Sequence, residues 1–88
     1  MQTEGIPVGI ENQTPNGASF NFSGPNGTAA TTGVQGNSTG GATLPVPGRW
    51  TVDANGHSAS CNCSDGNTYR VVLTGSGISF TENKKHDN

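Results

Sequence analysis

Residues 50–63 read WTVDANGHSASCNC, and this stretch decides the fold class of the chain. Apolar side chains alternate with polar ones on both sides of the dipeptide Asn55-Gly56. Alternation with period two is typical of strands that bury one face, and an Asn-Gly pair supplies the two positive φ angles of a type I′ turn. The stretch therefore predicts a β-hairpin in which Trp50, Val52 and Ala54 share one face.

The same alternation recurs along most of the chain, between turn sequences such as Pro15-Asn16-Gly17 and Gly75-Ser76-Gly77. No stretch repeats apolar residues at the helical spacing. Short strands at about ten-residue spacing predict an all-β fold, either a small β-sandwich or a Greek-key barrel of six to eight antiparallel strands. The predicted core comprises Ile6, Val8, Ile10, Phe20, Phe22, Leu44, Val46, Trp50, Val52, Cys61, Cys63, Val71, Leu73, Ile78 and Phe80.

The middle of the chain gives the weakest strand signal. Residues 24–41 contain one large aliphatic residue, Val34, so they indicate a long loop or a weak strand around Thr28–Val34. Leu44 and Val46 alternate between prolines, which favours a strand at the edge of a sheet. We expect a single β domain over residues 1–82 and a polar, flexible tail over residues 83–88.

The low charge of the chain limits its partners. Charged residues make up 11% of the sequence and the formal net charge is −2. Four Lys and Arg residues cannot form the cationic stripe that nucleic-acid binding needs. The sequence also contains no apolar run long enough to cross a membrane. We therefore expect neither nucleic-acid binding nor membrane insertion.

A surface of uncharged polar residues is commoner among extracellular β proteins than among cytosolic domains, which favours a secreted or extracellular protein. Asn-x-Ser/Thr triplets, the acceptors of N-linked glycans, point the same way, although a biased composition alone also produces them. Five such triplets begin at Asn12, Asn21, Asn26, Asn37 and Asn62.

The two cysteines leave three interpretations open: a local disulfide, a metal site, or reduced thiols in the core or bridged between chains. A disulfide between Cys61 and Cys63 is disfavoured on a regular strand, where their Cβ atoms point the same way. His57 lies on the same predicted face, but the spacing matches no structural zinc pattern and a fourth ligand is missing. We expect no metal ligand and no cofactor.

Catalytic motifs are also missing from the sequence. No Gly-x-Ser-x-Gly elbow is present, and the carboxylates are spread along the chain. Asp53 and Asn55 resemble the opening of a calcium loop, but Ser64 stands at the twelfth position, where the loop needs an acidic ligand. We expect that the protein is not an enzyme.

The turn after Cys63 supplies the candidate binding residues. Asp65 can accept two hydroxyl hydrogen bonds, Asn67 can donate and accept, and Tyr69 offers a flat apolar face to a sugar. The competing interpretation is a tight turn followed by an ordinary strand residue. We interpret the chain as a non-catalytic secreted binding module, a small lectin-like protein whose partner is a glycan or an extracellular protein.

Two alternatives to a lectin remain open at this point. One is a structural or self-assembling surface protein that forms homo-oligomers, because low charge and many strands favour pairing between sheet edges. The other is a secreted inhibitor or toxin-like effector that presents a loop to a protein target.

Overall fold

Eight β-strands make up most of the structure, a computed structural model that describes residues 5–64 and 66–82. No α-helix occurs within these ranges, which confirms the all-β prediction. A tight turn over Pro25–Gly27 lies between the second and third strands. The strands are β1 (Ile6–Asn12), β2 (Ala18–Ser23), β3 (Ala29–Val34), β4 (Ser38–Leu44), β5 (Gly48–Ala54), β6 (His57–Cys63), β7 (Tyr69–Thr74) and β8 (Gly77–Glu82).

The strands form two four-stranded sheets of a small β-sandwich. Sheet 1 has the order β4-β1-β7-β8, and sheet 2 has the order β3-β2-β5-β6. All pairs are antiparallel except β1 and β7, which run parallel. Antiparallel pairing was expected throughout, but strands this far apart in sequence have a connection long enough to return in the same direction.

The core lies between the sheets and consists of the inward-facing residues of the alternating runs. Val46, Cys61 and Ile78, which were predicted to be core residues, are only partly buried against it. Val34, Ala54 and Tyr69 were missed, and all three are buried. The buried apolar residues are Ile6, Val8, Ile10, Phe20, Phe22, Val34, Leu44, Trp50, Val52, Ala54, Cys63, Tyr69, Val71, Leu73 and Phe80.

The glycine-rich middle of the chain forms strands β3 and β4, so the prediction of a long loop there was wrong and that of a weak strand was right. Both strands lie at sheet edges, as predicted for Leu44. Each buries one large residue, Val34 or Leu44, and the remaining positions need little apolar surface. A Cβ atom on Gly40 would lie 2.9 Å from Cγ2 of Val34, so close packing favours glycine there.

The predicted hairpin at Asn55-Gly56 is present between β5 and β6. Ala54 pairs with His57, and the two turn residues have φ angles of 52° and 78°. Both angles lie in the left-handed region that a type I′ turn requires.

We expect Gly56→Val to destabilise the domain by about 1–3 kcal/mol, because a β-branched residue is strained at positive φ. In a domain of this size each kcal/mol lowers the melting temperature by about 4–8 °C, which calorimetry resolves. Gly75→Val is the matched control, since Gly75 also lies in a two-residue hairpin turn with open space around its Cβ position but lacks a positive φ. Equal melting temperatures for the two variants would contradict the prediction.

Candidate ligand-binding site

The residues predicted to form the binding site are not brought together as expected. Tyr69 is 2% exposed, and its ring packs edge-on against Phe80 with centroids 6.4 Å apart. Its hydroxyl accepts a hydrogen bond of 2.8 Å from the backbone N–H of Ser64. The expectation that this ring faces a ligand was therefore wrong, because the alternation with Val71 directs Tyr69 into the core.

The ligand-binding roles of Asn67 and Asp65 stay predictions. Asn67 is exposed, and its backbone N–H donates to the carbonyl of Ser64 at 3.4 Å, as in the tight turn that was the competing interpretation. Asp65 lies outside the described residues.

A shallow trough of about 300 Å³ lies on the outer face of sheet 1 and was not predicted from the sequence. We call it the glycine trough; it is lined by Gly9, Ile10, Glu11, Thr39, Gly40, Tyr69 and Arg70. Gly9 lies on the central strand β1, where it pairs with Gly41 of β4 on one side and Arg70 of β7 on the other. A Cβ atom built on Gly9 would meet no heavy atom within 4 Å, so the glycine leaves open space above the sheet.

A charged cluster stands at one side of the trough. Nη2 of Arg70 lies 2.5 Å from Oε1 of Glu11, and Nε2 of Gln13 donates to Oε2 of Glu11 at 2.8 Å. The hydrogen bond from Gln13, and then that from Arg70, lowers the pKa of Glu11 below its ordinary value. Glu11 is therefore ionised at neutral pH, and its charge is balanced by that of Arg70.

This ion pair contributes little to the stability of the fold. The Arg70 side chain is 52% exposed, and exposed ion pairs contribute little to stability. A carboxylate has about four lone-pair sites and a guanidinium five N–H donors, so both groups keep capacity beyond the bonds they make to each other.

Asn12 is fully buried and organises the turn that follows β1. Its side-chain amide donates to the carbonyls of Asn16 at 2.9 Å and Val34 at 3.1 Å. Its Oδ1 accepts bonds from the N–H of Thr14 at 3.0 Å and from the hydroxyl of Thr14 at 2.6 Å. In the sequence, Asn12 was predicted only as an acceptor of an N-linked glycan. Its burial removes the side-chain amide, which would carry the glycan, from solvent.

The remaining Asn-x-Ser/Thr triplets keep their asparagines at the surface. The exposed acceptor residues are Asn21, Asn26, Asn37 and Asn62.

Cys61 and Cys63 are free thiols on the inner side of β6. Burial raises the pKa of Cys63 to about 12, with the neighbouring Cys61 as a further cause. Burial also raises the pKa of Cys61, which is half-buried. Within residues 5–64 and 66–82, no group of three His, Cys, Asp or Glu side chains is arranged to hold a metal ion, and this includes His57 with the two cysteines.

We expect both thiols to react slowly with iodoacetamide at pH 8, and Cys63 more slowly than Cys61, because the thiolate is the reactive form. Mass spectrometry of native and denatured samples over time measures the two rates. Equal rates for Cys63 in the native and denatured samples would contradict the burial of its thiol.

The raised pKa of Cys63 also predicts how stability depends on pH. The folded state holds the Cys63 thiol proton to higher pH than the unfolded chain does, so the free energy of unfolding should fall as the pH rises from about 9 towards 12.

Comparison with known proteins supports the fold alone. A protein from Eubacterium rectale with an NMR structure superposes with a TM-score of 0.56, over 97% of this chain and 94% of that chain, at 11% sequence identity. No family model matches the sequence, and a search of curated proteins gave no match. No helix in the described part of the chain is long and apolar enough to span a membrane.

Proposed function

We propose that this domain is a non-catalytic, extracellular binding module that holds an uncharged saccharide in the glycine trough. The observation that carries the proposal is the open floor at Gly9 beside the Glu11–Arg70 pair. Sugar hydroxyls both donate and accept hydrogen bonds, and the carboxylate and guanidinium offer the complementary groups side by side. A floor without side chains lets a ring approach the backbone closely.

The position of the trough argues against an extended peptide as the ligand. Strand β1 lies between β4 and β7, so its backbone hydrogen bonds are used within sheet 1. A peptide that binds by strand addition needs a free sheet edge. Side chains and shape must therefore supply recognition in the trough.

The chemistry of Glu11 favours binding over catalysis. A typical glycosidase uses two carboxyl groups, one with a raised pKa that serves as general acid. Among the residues that line the trough, Glu11 is the one carboxylate, and its pKa is lowered. Such a group accepts hydrogen bonds at neutral pH but does not donate a proton.

The test is Gly9→Thr, which places a side chain on the floor of the trough without a clash within the sheet. A glycan array identifies a neutral saccharide, and calorimetry then compares the variants. We expect Gly9→Thr to weaken binding by about tenfold or more, the equivalent of about 1.4 kcal/mol. Gly33→Thr is the matched control, because Gly33 is an exposed strand glycine on the other sheet with no positive φ. Unchanged affinity in a folded Gly9→Thr variant, or no saccharide bound by the wild type, would refute the proposal.

A second candidate function is self-assembly through sheet edges. Edge strands usually carry charges or proline that prevent pairing with other chains. Strands β3, β4 and β6 lie at edges and contain no Lys, Arg, Asp or Glu. Light scattering over a range of concentrations tests this function, and a mass that stays monomeric at all of them would exclude it.

A further inference from the structure

We propose that the ligand is a linear, uncharged oligosaccharide of at least two units that lies along β1 and continues beyond the glycine trough. This inference rests on the proposed function and specifies its ligand class. A second groove of about 200 Å³ adjoins the trough, and we call it the end groove. It is lined by Glu11, Asn12, Gln13, Asn37, Ser38 and Thr39.

The two grooves form one continuous strip on the outer face of sheet 1. They share Glu11 and Thr39, which are cross-strand partners on β1 and β4. The strip runs along β1 from Gly9 and ends at Gln13, the residue after the strand. At about 3.3 Å per residue this distance is roughly 13 Å. Neither groove alone exceeds the lower end of the size range of ligand pockets, about 300 Å³. A ligand that uses both must therefore be elongated.

The side chains of the strip favour a neutral polyhydroxyl ligand over a charged one. Glu11 and Arg70 are its charged lining residues, and they are paired with each other. The end groove adds the amides of Gln13 and Asn37 and the hydroxyl of Ser38, all of which bond hydroxyl groups well. An anionic ligand would have to displace Glu11 from Arg70, and a cationic ligand would have to displace Arg70 from Glu11.

Hydrogen bonds hold the backbone of the end groove in place. Asn37 has a φ of 55°, and its backbone N–H donates to the carbonyl of Thr14 at 2.8 Å. Thr14 is itself fixed by its two bonds to the buried Asn12. Binding therefore does not have to order this backbone, which favours affinity.

The dependence of affinity on chain length tests the inference. Calorimetry uses linear gluco-, manno- and xylo-oligosaccharides of one to six units, with Asn37→Gly as the test variant. Glycine adopts positive φ without strain, so this change removes the amide and keeps the turn. Asn55→Gly is the matched control, because Asn55 has a φ of 52° in the β5–β6 turn, away from the strip.

For wild type and Asn55→Gly we expect the affinity to be about tenfold higher for the longer oligosaccharides than for the monosaccharide. Asn37→Gly should lose most of that gain and should bind the monosaccharide as the wild type does. Affinity in the wild type that does not depend on length, with Gly9→Thr still disruptive, would overturn the inference and leave the proposed function intact. A length-dependent gain that Asn37→Gly fully retains would also overturn it. Absence of binding to all three series and to the glycan array would overturn both.

Discussion

Trp50→Ala is expected to destabilise the domain by about 3–5 kcal/mol, the range typical of deleting a buried large aromatic side chain. Domains of this length are stabilised by only about 4–13 kcal/mol in total. Trp50 is completely buried, and its indole N–H donates to the carbonyl of Val46 at 2.9 Å. A Cβ atom on Gly24 would lie 2.4 Å from the indole ring, so the backbone also packs directly against it. Alanine would leave a cavity that neither sheet can fill.

Urea unfolding followed by far-UV circular dichroism measures the effect, because removing the single tryptophan also removes its fluorescence. Trp50→Phe is the control, since it retains most of the apolar volume and loses the hydrogen bond to Val46. We expect its loss to be smaller, about 1–3 kcal/mol. A loss below about 1 kcal/mol for Trp50→Ala would show that the indole does not occupy the core as described.

Asn12→Leu is expected to have an effect of similar size, about 3–5 kcal/mol, for a different reason. The substitution replaces the polar amide by an apolar group of similar branched shape, so it removes the bonds to the carbonyls of Asn16 and Val34 and to the N–H of Thr14. Each buried polar group left without a partner costs about 1–3 kcal/mol. These groups join the turn after β1 to the end of β3, so the two sheets should loosen together.

Asn62→Leu is the control for the removal of an asparagine amide, because Asn62 is exposed on β6. Denaturant melts should place Asn62→Leu within about 0.5 kcal/mol of the wild type, as is usual for surface changes. Thr14→Val separates the contributions, since it removes the hydroxyl bonds and keeps the Asn12 amide. If Asn12→Leu and Asn62→Leu unfold at the same denaturant concentration, the network has no structural role.

The proposed binding strip shows why part of the candidate site could not be predicted. Glu11 and Arg70 are 59 residues apart in sequence and meet only because β1 and β7 are neighbours in sheet 1. Nothing local encodes that pairing, since alternation states which face a residue occupies but not which strand lies beside it. Gly9 was unremarkable in the sequence for the same reason: the space above it exists only between the strands on either side.

Tyr69 illustrates how a correct pattern can be misinterpreted. Its alternation with Val71 and Leu73 indicated an inward position, but its ring was interpreted as a flat apolar face offered to a sugar. Burial became possible because the N–H of Ser64 lies where the hydroxyl needs a partner. That donor belongs to a turn whose path the sequence does not specify.

By itself, the sequence determined the all-β class, the inward faces of the strands and the hairpin at Asn55-Gly56, because period-two alternation and the φ requirements of a tight turn act over a few residues. It also determined the burial of Trp50. The tertiary structure alone decided the division of β1 and β2 between two sheets, the parallel pairing of β1 with β7 and the joining of the glycine trough to the end groove. These features depend on contacts between distant segments, whose free energies are fixed only when the whole core packs.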